Sequence, residues 1–300
     1  MPFPDEIKDL LKQYGIPFSS EDYGTHSVLY ARRANSGDSG PKTVKLILIP
    51  LISTNIESAN RQSLIISPLA GQPDTIAVPE DRWRKAGLMM KGRILAHLGI
   101  FRAVYARDCE IRKISREEAG IFLEQTHSYG GAKCRYCYGV FLKRGRVKNA
   151  ATVSGGPATE DISPGTLIAA AAFSNARRWN KGGKEIRSYE WIRYASLPDI
   201  RINGGMGKVL KRFTDDIRPD DIMSYADLEW SDGQAYRRLG FEHDGDKEPV
   251  TFAVDTATWK RIPLRSPRNG SEPAMDLAMP SIRYFRNFGS RKYRLKLYDA

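Results

Sequence analysis

The stretch Ile200–Glu242, IRINGGMGKVLKRFTDDIRPDDIMSYADLEWSDGQAYRRLGFE, decides the fold. It starts as a strand-like run ending in Asn203-Gly204-Gly205-Met206-Gly207, and these residues open a helix whose apolar residues Val209, Leu210 and Phe213 recur at helical spacing. Three glycines in four residues let the backbone turn sharply and leave amide N–H groups without side-chain cover. At a helix N-terminus such groups, with the helix dipole, form an anion seat, most often for phosphate. A second strand, Ile222–Leu228, follows, and then a short helix in which Tyr236 stands four residues before Gly240-Phe241. Taken alone, these letters also describe an ordinary αβα unit with a glycine-rich turn.

Upstream, Ala103–Ile114 reads as a strand, and Ser115 with Glu118 forms a capping box for a helix over Arg116–Gln125. The helix leads into Thr126-His127-Ser128-Tyr129-Gly130-Gly131, where His127 is either a capping residue or a group facing a cleft. Cys134 and Cys137 form a CxxC; with His127 or Cys109 they are the candidate metal ligands, but a strand starting at the motif would turn the two thiols to opposite faces. A polar loop over 143–164 precedes the small-apolar strand Leu167–Phe173. The strand Ser188–Ser196, SYEWIRYAS, carries Glu190 and Arg193, which need partners or open water because an unpaired buried charge is costly.

The first hundred residues read as a smaller α/β unit, with a helix over Asp5–Tyr14 and strands at Thr43–Ile49, Ser63–Ser67 and Thr75–Val78. Glu80-Asp81-Arg82-Trp83 then leads into a helix through Met90, Ile94 and Leu98. These strands lack the Asp and Glu-x-Lys set of a Mg²⁺ nuclease, so the unit reads as a scaffold or DNA-contacting domain. At the other end, Lys260–Ala300 holds ten Lys/Arg against three Asp/Glu, interleaved with Tyr284, Phe285, Phe288, Tyr293 and Tyr298. That mixture suits phosphate contacts plus base stacking, and equally an aromatic terminal strand packed on the body.

The order of parts resembles the GNAT acyl-CoA transferases from about Ala103 to Val254. The resemblance implies a mixed α/β (α+β) fold with a splayed central sheet and flanking helices. It further implies that the turn seats the pyrophosphate of acetyl-CoA or another acyl-CoA on Ile202, Asn203, Gly204, Gly205, Met206, Gly207 and Lys208. The superfamily's turn signature has Gln or Arg three residues before its first glycine; that place falls on Ile202, and Arg201 lies one residue early. Within the superfamily, Thr126-His127 near Gly-Gly, Glu190-x-x-Arg193, Gly204-Gly205 with Lys208, and Ser224-Tyr225-Ala226-Asp227 with Trp230-Ser231 resemble the Mom-like DNA-modification branch. The GNAT-like domains of phage homing endonucleases are similar too. The resemblance implies an exocyclic amine of a DNA base as acceptor, with Asp227, Tyr236, His127 and Tyr225 as candidate catalytic groups. Glu190, Arg193, Ser224, Trp230 and Ser231 are the candidate substrate contacts.

Acyl transfer to an amine needs a proton taken from the amine and one given to the leaving thiolate. Tyr236 is placed by order to be the donor, and Asp227 or His127 the acceptor. A base reached by flipping needs aromatic walls, for which Trp179, Trp191, Tyr194 and Trp230 are candidates, unless they are core residues.

With 300 residues, 41% hydrophobic and 27% charged, the chain is a globular one of one large domain or two modest ones. The expected division is 1–100, 101–260 and a basic extension over 261–300. The net charge of +12 points to a polyanionic partner, DNA in this reading, or to a solvated basic face. No apolar run reaches membrane-spanning length, the start lacks signal-peptide character, and three cysteines suit a reducing cytoplasm. A small-molecule or protein amine as acceptor, and a coenzyme-free DNA-binding module, are the other function classes that fit.

Overall fold

A computed structural model of the chain describes residues 2–33, 42–144, 162–264 and 280–298. Helix α1 (Phe3–Gln13) leads into strands β1 (Phe18–Asp22), β2 (Ser27–Arg33) and β3 (Lys42–Ile49). Helix α2 (Ile56–Ile66), strand β4 (Thr75–Pro79) and helices α3 (Glu80–Lys85) and α4 (Gly87–His97) follow. Next come β5 (Arg102–Tyr105), β6 (Cys109–Lys113), α5 (Arg116–Thr126), β7 (Tyr136–Leu142) and β8 (Leu167–Phe173). Then β9 (Arg177–Lys181), β10 (Lys184–Ser196), β11 (Ile200–Asn203), α6 (Gly205–Ile217), β12 (Asp221–Asp227) and α7 (Gln234–Arg237). The chain closes with β13 (Glu242–Lys247), β14 (Thr251–Asp255), β15 (Lys260–Pro263), β16 (Ile282–Arg286) and β17 (Ser290–Lys296). Among the described residues no helix is long and apolar enough to cross a membrane.

These elements form two compact units that interleave in sequence. One holds Met1–Met90, Ala226–Asp232 and Asp246–Arg291; the other holds Lys91–Tyr225, Gly233–Gly245 and Lys292–Ala300. Three consecutive segments were expected. The difference arises because the early strands cannot close a core alone: Ile47, Ile49, Ile66 and Ala77 pack with Val254, Phe285 and Phe288 from late in the chain.

The first unit holds a four-stranded sheet in the order β1-β2-β3-β4 and a three-stranded sheet, β15-β14-β16. Residues 63–67, expected as a strand, form the last turn of α2. Asn55 and Ser58 cap that helix reciprocally, and its buried Ala59, Gln62, Ser63 and Ile66 follow helical spacing. Tyr284, Phe285 and Phe288 are buried here, and Tyr293 is buried in the second unit. Of the expected 261–300 extension, residues 265–279 lie outside the described ones, whereas 282–286 and 290–296 are strands, and these rings fill cores instead of offering faces to bases.

A buried ion cluster joins three segments of the first unit. Arg261 Nη1 donates to Glu229 Oε1 at 2.7 Å and Nη2 to Asp81 Oδ1 at 3.1 Å, while Nε also donates to Asp81. The guanidinium lies 4.3 Å from the centroid of Phe285. Burial opposes the charge on Arg261, but Asp81 and Glu229 hold it protonated; burial likewise pushes the Glu229 carboxyl up, and Arg261 counters it. Arg82, whose Nε lies 3.8 Å from Glu229 Oε2, brings a second positive charge to balance the two carboxylates, and such a cluster is costly when broken. Arg261→Met strands two buried carboxylates, so urea unfolding is expected to show a loss of about 3–5 kcal/mol.

The second unit holds an eight-stranded sheet in the order β13-β17-β12-β10-β8-β7-β6, with β9 paired to β10. The run expected as one strand over Ala103–Ile114 breaks at the 3-10 turn Ala106–Asp108, and β5 pairs in parallel with β11 instead. Small residues in β8 let α5 approach closely, with Phe122 and Leu123 packed on Ala170, Ala172 and Ala195. Phe213 of α6 stacks on Phe173 at 3.9 Å. Strand β10 pairs in parallel with β12 only over Ser188–Glu190 and Asp221–Met223, then continues antiparallel to β8 through Ser196. The two parallel strands thus part after three residue pairs, the splay that the resemblance implied. The fold is a mixed α/β (α+β) one.

Candidate functional site

The glycine turn is built as its letters require. Gly204 is the N-cap of α6 at φ 77°, a conformation that excludes most other residues, and the first turn of the helix holds no acidic residue. The first intrahelical bond runs from Lys208 N–H to Gly204 O at 3.0 Å, so the N–H groups of Gly205, Met206 and Gly207 have no earlier turn to bond. A Cβ on Gly205 would stand 2.7 Å from Ile202 Cγ2 and 2.8 Å from Tyr194 Oη. The side chain of Lys208 is engaged by backbone, with Nζ donating to Ala106 O at 2.8 Å and Cys109 O at 2.6 Å. Arg201 turns away: it lies 5.4 Å over Phe101 and reaches Ala96 O at 3.5 Å.

Where β10 and β12 part, Ser224 bridges the gap. Its Oγ lies 2.8 Å from the Trp191 carbonyl oxygen and 2.8 Å from Tyr236 Oη. A carbonyl only accepts, so when the Ser224 proton serves Trp191, Tyr236 donates to Ser224 and keeps its own proton. The Tyr236-x-x-x-Gly240-Phe241 pattern has a geometric cause. Gly240, at φ 84°, reverses the chain so that Phe241 N–H reaches Tyr236 O at 3.1 Å and the two rings meet edge to face at 5.6 Å. Tyr293 stacks on the other side of Tyr236 at 5.5 Å. Burial pushes the Tyr236 hydroxyl above its ordinary range, against the Ser224 hydrogen bond and the positive charge of Arg193.

A bulge sets the next pair. Trp191 lies opposite Phe173 and Arg193 opposite Ala172, so Ile192 is an extra residue in β10. Without it, Glu190 and Arg193, three apart, would face opposite sides of the sheet; with it both occupy the α5 side. Arg193 Nε donates to Gly130 O at 3.3 Å and its guanidinium lies 5.6 Å over Tyr129. Tyr129 N–H donates to His127 Nδ1 at 3.1 Å, which places the proton of a neutral imidazole on Nε2. His127 is thus the C-cap of α5, and its ring accepts from the loop that follows.

Asp227, Trp230 and Ser231 belong to the first unit. Asp227 Oδ1 accepts from Glu229 N–H at 3.0 Å, its carbonyl accepts from the N–H groups of Trp230 and Ser231, and Trp230 is buried. Tyr225 is half-buried and points from β12 to the face opposite Ser224. Trp191 is a core residue stacked on Phe173, whereas Trp179 stays exposed. No group of three or more His, Cys, Asp or Glu with metal-binding geometry occurs among the described residues. The thiols of Cys134 and Cys137 do meet, contrary to the opposite-face expectation, because the strand begins only at Tyr136 and leaves Cys134 in the loop.

Tyr129 and Tyr293 are the two positions the sequence did not single out as site residues. Tyr129 lies next to His127, but its stacking on Arg193 depends on the bulge. Tyr293 comes from the last strand, and nothing local marks it as a neighbour of Tyr236.

The sequence matches no protein-family model and no curated protein. Among solved structures, Eis1 from Mycobacterium abscessus is similar over 50% of this chain and 34% of that one, at 17% identity and a TM-score of 0.33. The chain spans about a third of that structure's length.

The turn makes a direct test. Gly205→Ala drives a methyl into Ile202 and Tyr194, with an expected loss of about 1–3 kcal/mol. At Gly207 the nearest atom to an added Cβ is Leu239 Cδ2 at 3.4 Å, and thermal unfolding of Gly207→Ala is expected to show a far smaller change.

Proposed function

We propose that the chain is an acyl-CoA-dependent N-acyltransferase whose acceptor is an amine of DNA, most simply an exocyclic amine of a base. The observation that carries this reading is the Tyr236 hydroxyl, held neutral at the parting of β10 and β12, in the same unit as a glycine turn that opens a helix.

The turn fits the coenzyme: the N–H groups of Gly205, Met206 and Gly207 lack partners within the helix, and the first turn of α6 holds no carboxylate to repel an anion. Coenzyme A, when bound, supplies an activated thioester carbonyl and a thiol leaving group. The N–H groups of Gly205, Met206 and Gly207 seat its pyrophosphate. Tyr236 would be the group to give a hydroxyl proton to the coenzyme sulfur, and the positive charge of Arg193 would favour the phenolate left behind. Ser224 keeps the Tyr236 hydroxyl oriented by its bond to the Trp191 carbonyl. Glu190 shares the sheet face of Arg193 and takes the amine proton. Support for DNA comes from the net charge of +12, since each phosphate neutralised by a cation releases counterions.

Incubation with labelled acetyl-CoA and duplex DNA, followed by mass spectrometry of nucleosides, is expected to show an acylated base. Label on a lysine peptide or small amine with unchanged DNA would move the acceptor to that class. Tyr236→Phe is expected to lower kcat by roughly 10²- to 10⁴-fold with acetyl-CoA affinity retained. Equal turnover would remove Tyr236 from the acid role. With DNA as acceptor, turnover at sub-saturating substrate should fall as salt rises, which a small neutral amine would not show.

A further inference from the structure

We infer that Cys134 and Cys137 are a reversible dithiol/disulfide pair, a modification site that reacts with small disulfides of the glutathione class. The two Sγ atoms lie 3.1 Å apart, in contact and about 1 Å from bonding distance. Cys134 is half-exposed in the loop before β7, while Cys137 is buried in that strand. The chain between them is pinned, because Arg135 N–H donates to Phe173 O at 2.8 Å and Cys137 O accepts from Ile114 N–H at 3.1 Å. The thiols thus face each other by backbone bonding rather than by rotamer chance. No third metal-ligand side chain gathers around them among the described residues, which separates the pair from a zinc site.

The roles follow from exposure. The Cys134 thiolate attacks one sulfur of oxidised glutathione, forming a mixed disulfide and releasing one glutathione thiolate. Cys137 then loses its proton, its sulfur attacks Cys134 Sγ, and the second glutathione leaves. Two protein thiols have given two electrons and two protons to one small disulfide. Burial, with the hydrogen bond and charge of Cys134, pushes the Cys137 thiol up to about 12. Burial remains when Cys134 is in a mixed disulfide, but the contribution of Cys134 disappears, which lowers the Cys137 thiol for the resolving attack. The third cysteine, Cys109, is buried with its Sγ against Tyr105 O at 3.5 Å, and serves as an internal control.

The sequence supplies the test. Lys133, Arg135 and Lys143 direct trypsin to cut between the two cysteines, so Cys134-Arg135 and Tyr136–Lys143 separate unless a disulfide joins them. After treatment of the folded full chain with oxidised glutathione, the joined fragment should appear in mass spectra and vanish with dithiothreitol. Two of the three thiols should become unreactive to alkylation in denaturant. Cys109→Ser should leave this unchanged. Cys134→Ser should abolish the joined fragment and leave Cys137 free. Glutathione retained on Cys134 with Cys137 still alkylatable, or three free thiols after treatment, would overturn the proposal.

Discussion

The short parallel contact between β10 and β12 is the constraint on which the second unit depends. It is held by a buried polar staple: Ser188 donates to Asp221, whose other oxygen lies 2.8 Å from Arg294 Nη1, and Arg294 Nε reaches Asp244 at 2.8 Å. Four strands, β10, β12, β17 and β13, are tied at one level. Beyond that level β10 follows β8, and the gap it leaves is the place where Ser224 and Tyr236 meet. A carboxylate as buried as Asp221 is costly alone, and its value lies in specifying one register among several.

The bulge at Ile192 is the second device. An inserted residue changes which face every later side chain of β10 occupies. It sends Arg193 to the α5 side, where Gly130 and Tyr129 receive it, and Tyr194 to the α6 side, where its hydroxyl limits what can stand at position 205. Charge and turn are thus set by one backbone irregularity. The first unit shows the same economy in Arg261, which joins three distant segments through one planar guanidinium with donors matched to two carboxylates.

Legibility followed range. Local chemistry was readable: the Ser115 cap, the glycine turn, the apolar face of Val209, Leu210 and Phe213, and the strand Leu167–Phe173 all stand where their letters place them. The short apolar run at 63–67 misled because periodicity over five residues does not separate strand from helix, and the cap at Asn55 lies too far upstream to weigh in. The basic, aromatic C-terminal segment misled for a different reason. Its alternation suits base stacking and core strands alike, and only partners from elsewhere in the chain decide between them.

By itself the sequence determined the element types, the sharp turn at Gly204–Gly205 and the Tyr236–Gly240–Phe241 closure, because each depends on backbone sterics and hydrogen bonds within a few residues. Tertiary structure alone decided the interleaving of the two units, the side-switching of Arg193, the meeting of Cys134 with Cys137 and the stacking of Tyr293 on Tyr236. Those depend on register and on where strands part, which are set by burial summed over segments far apart in the chain.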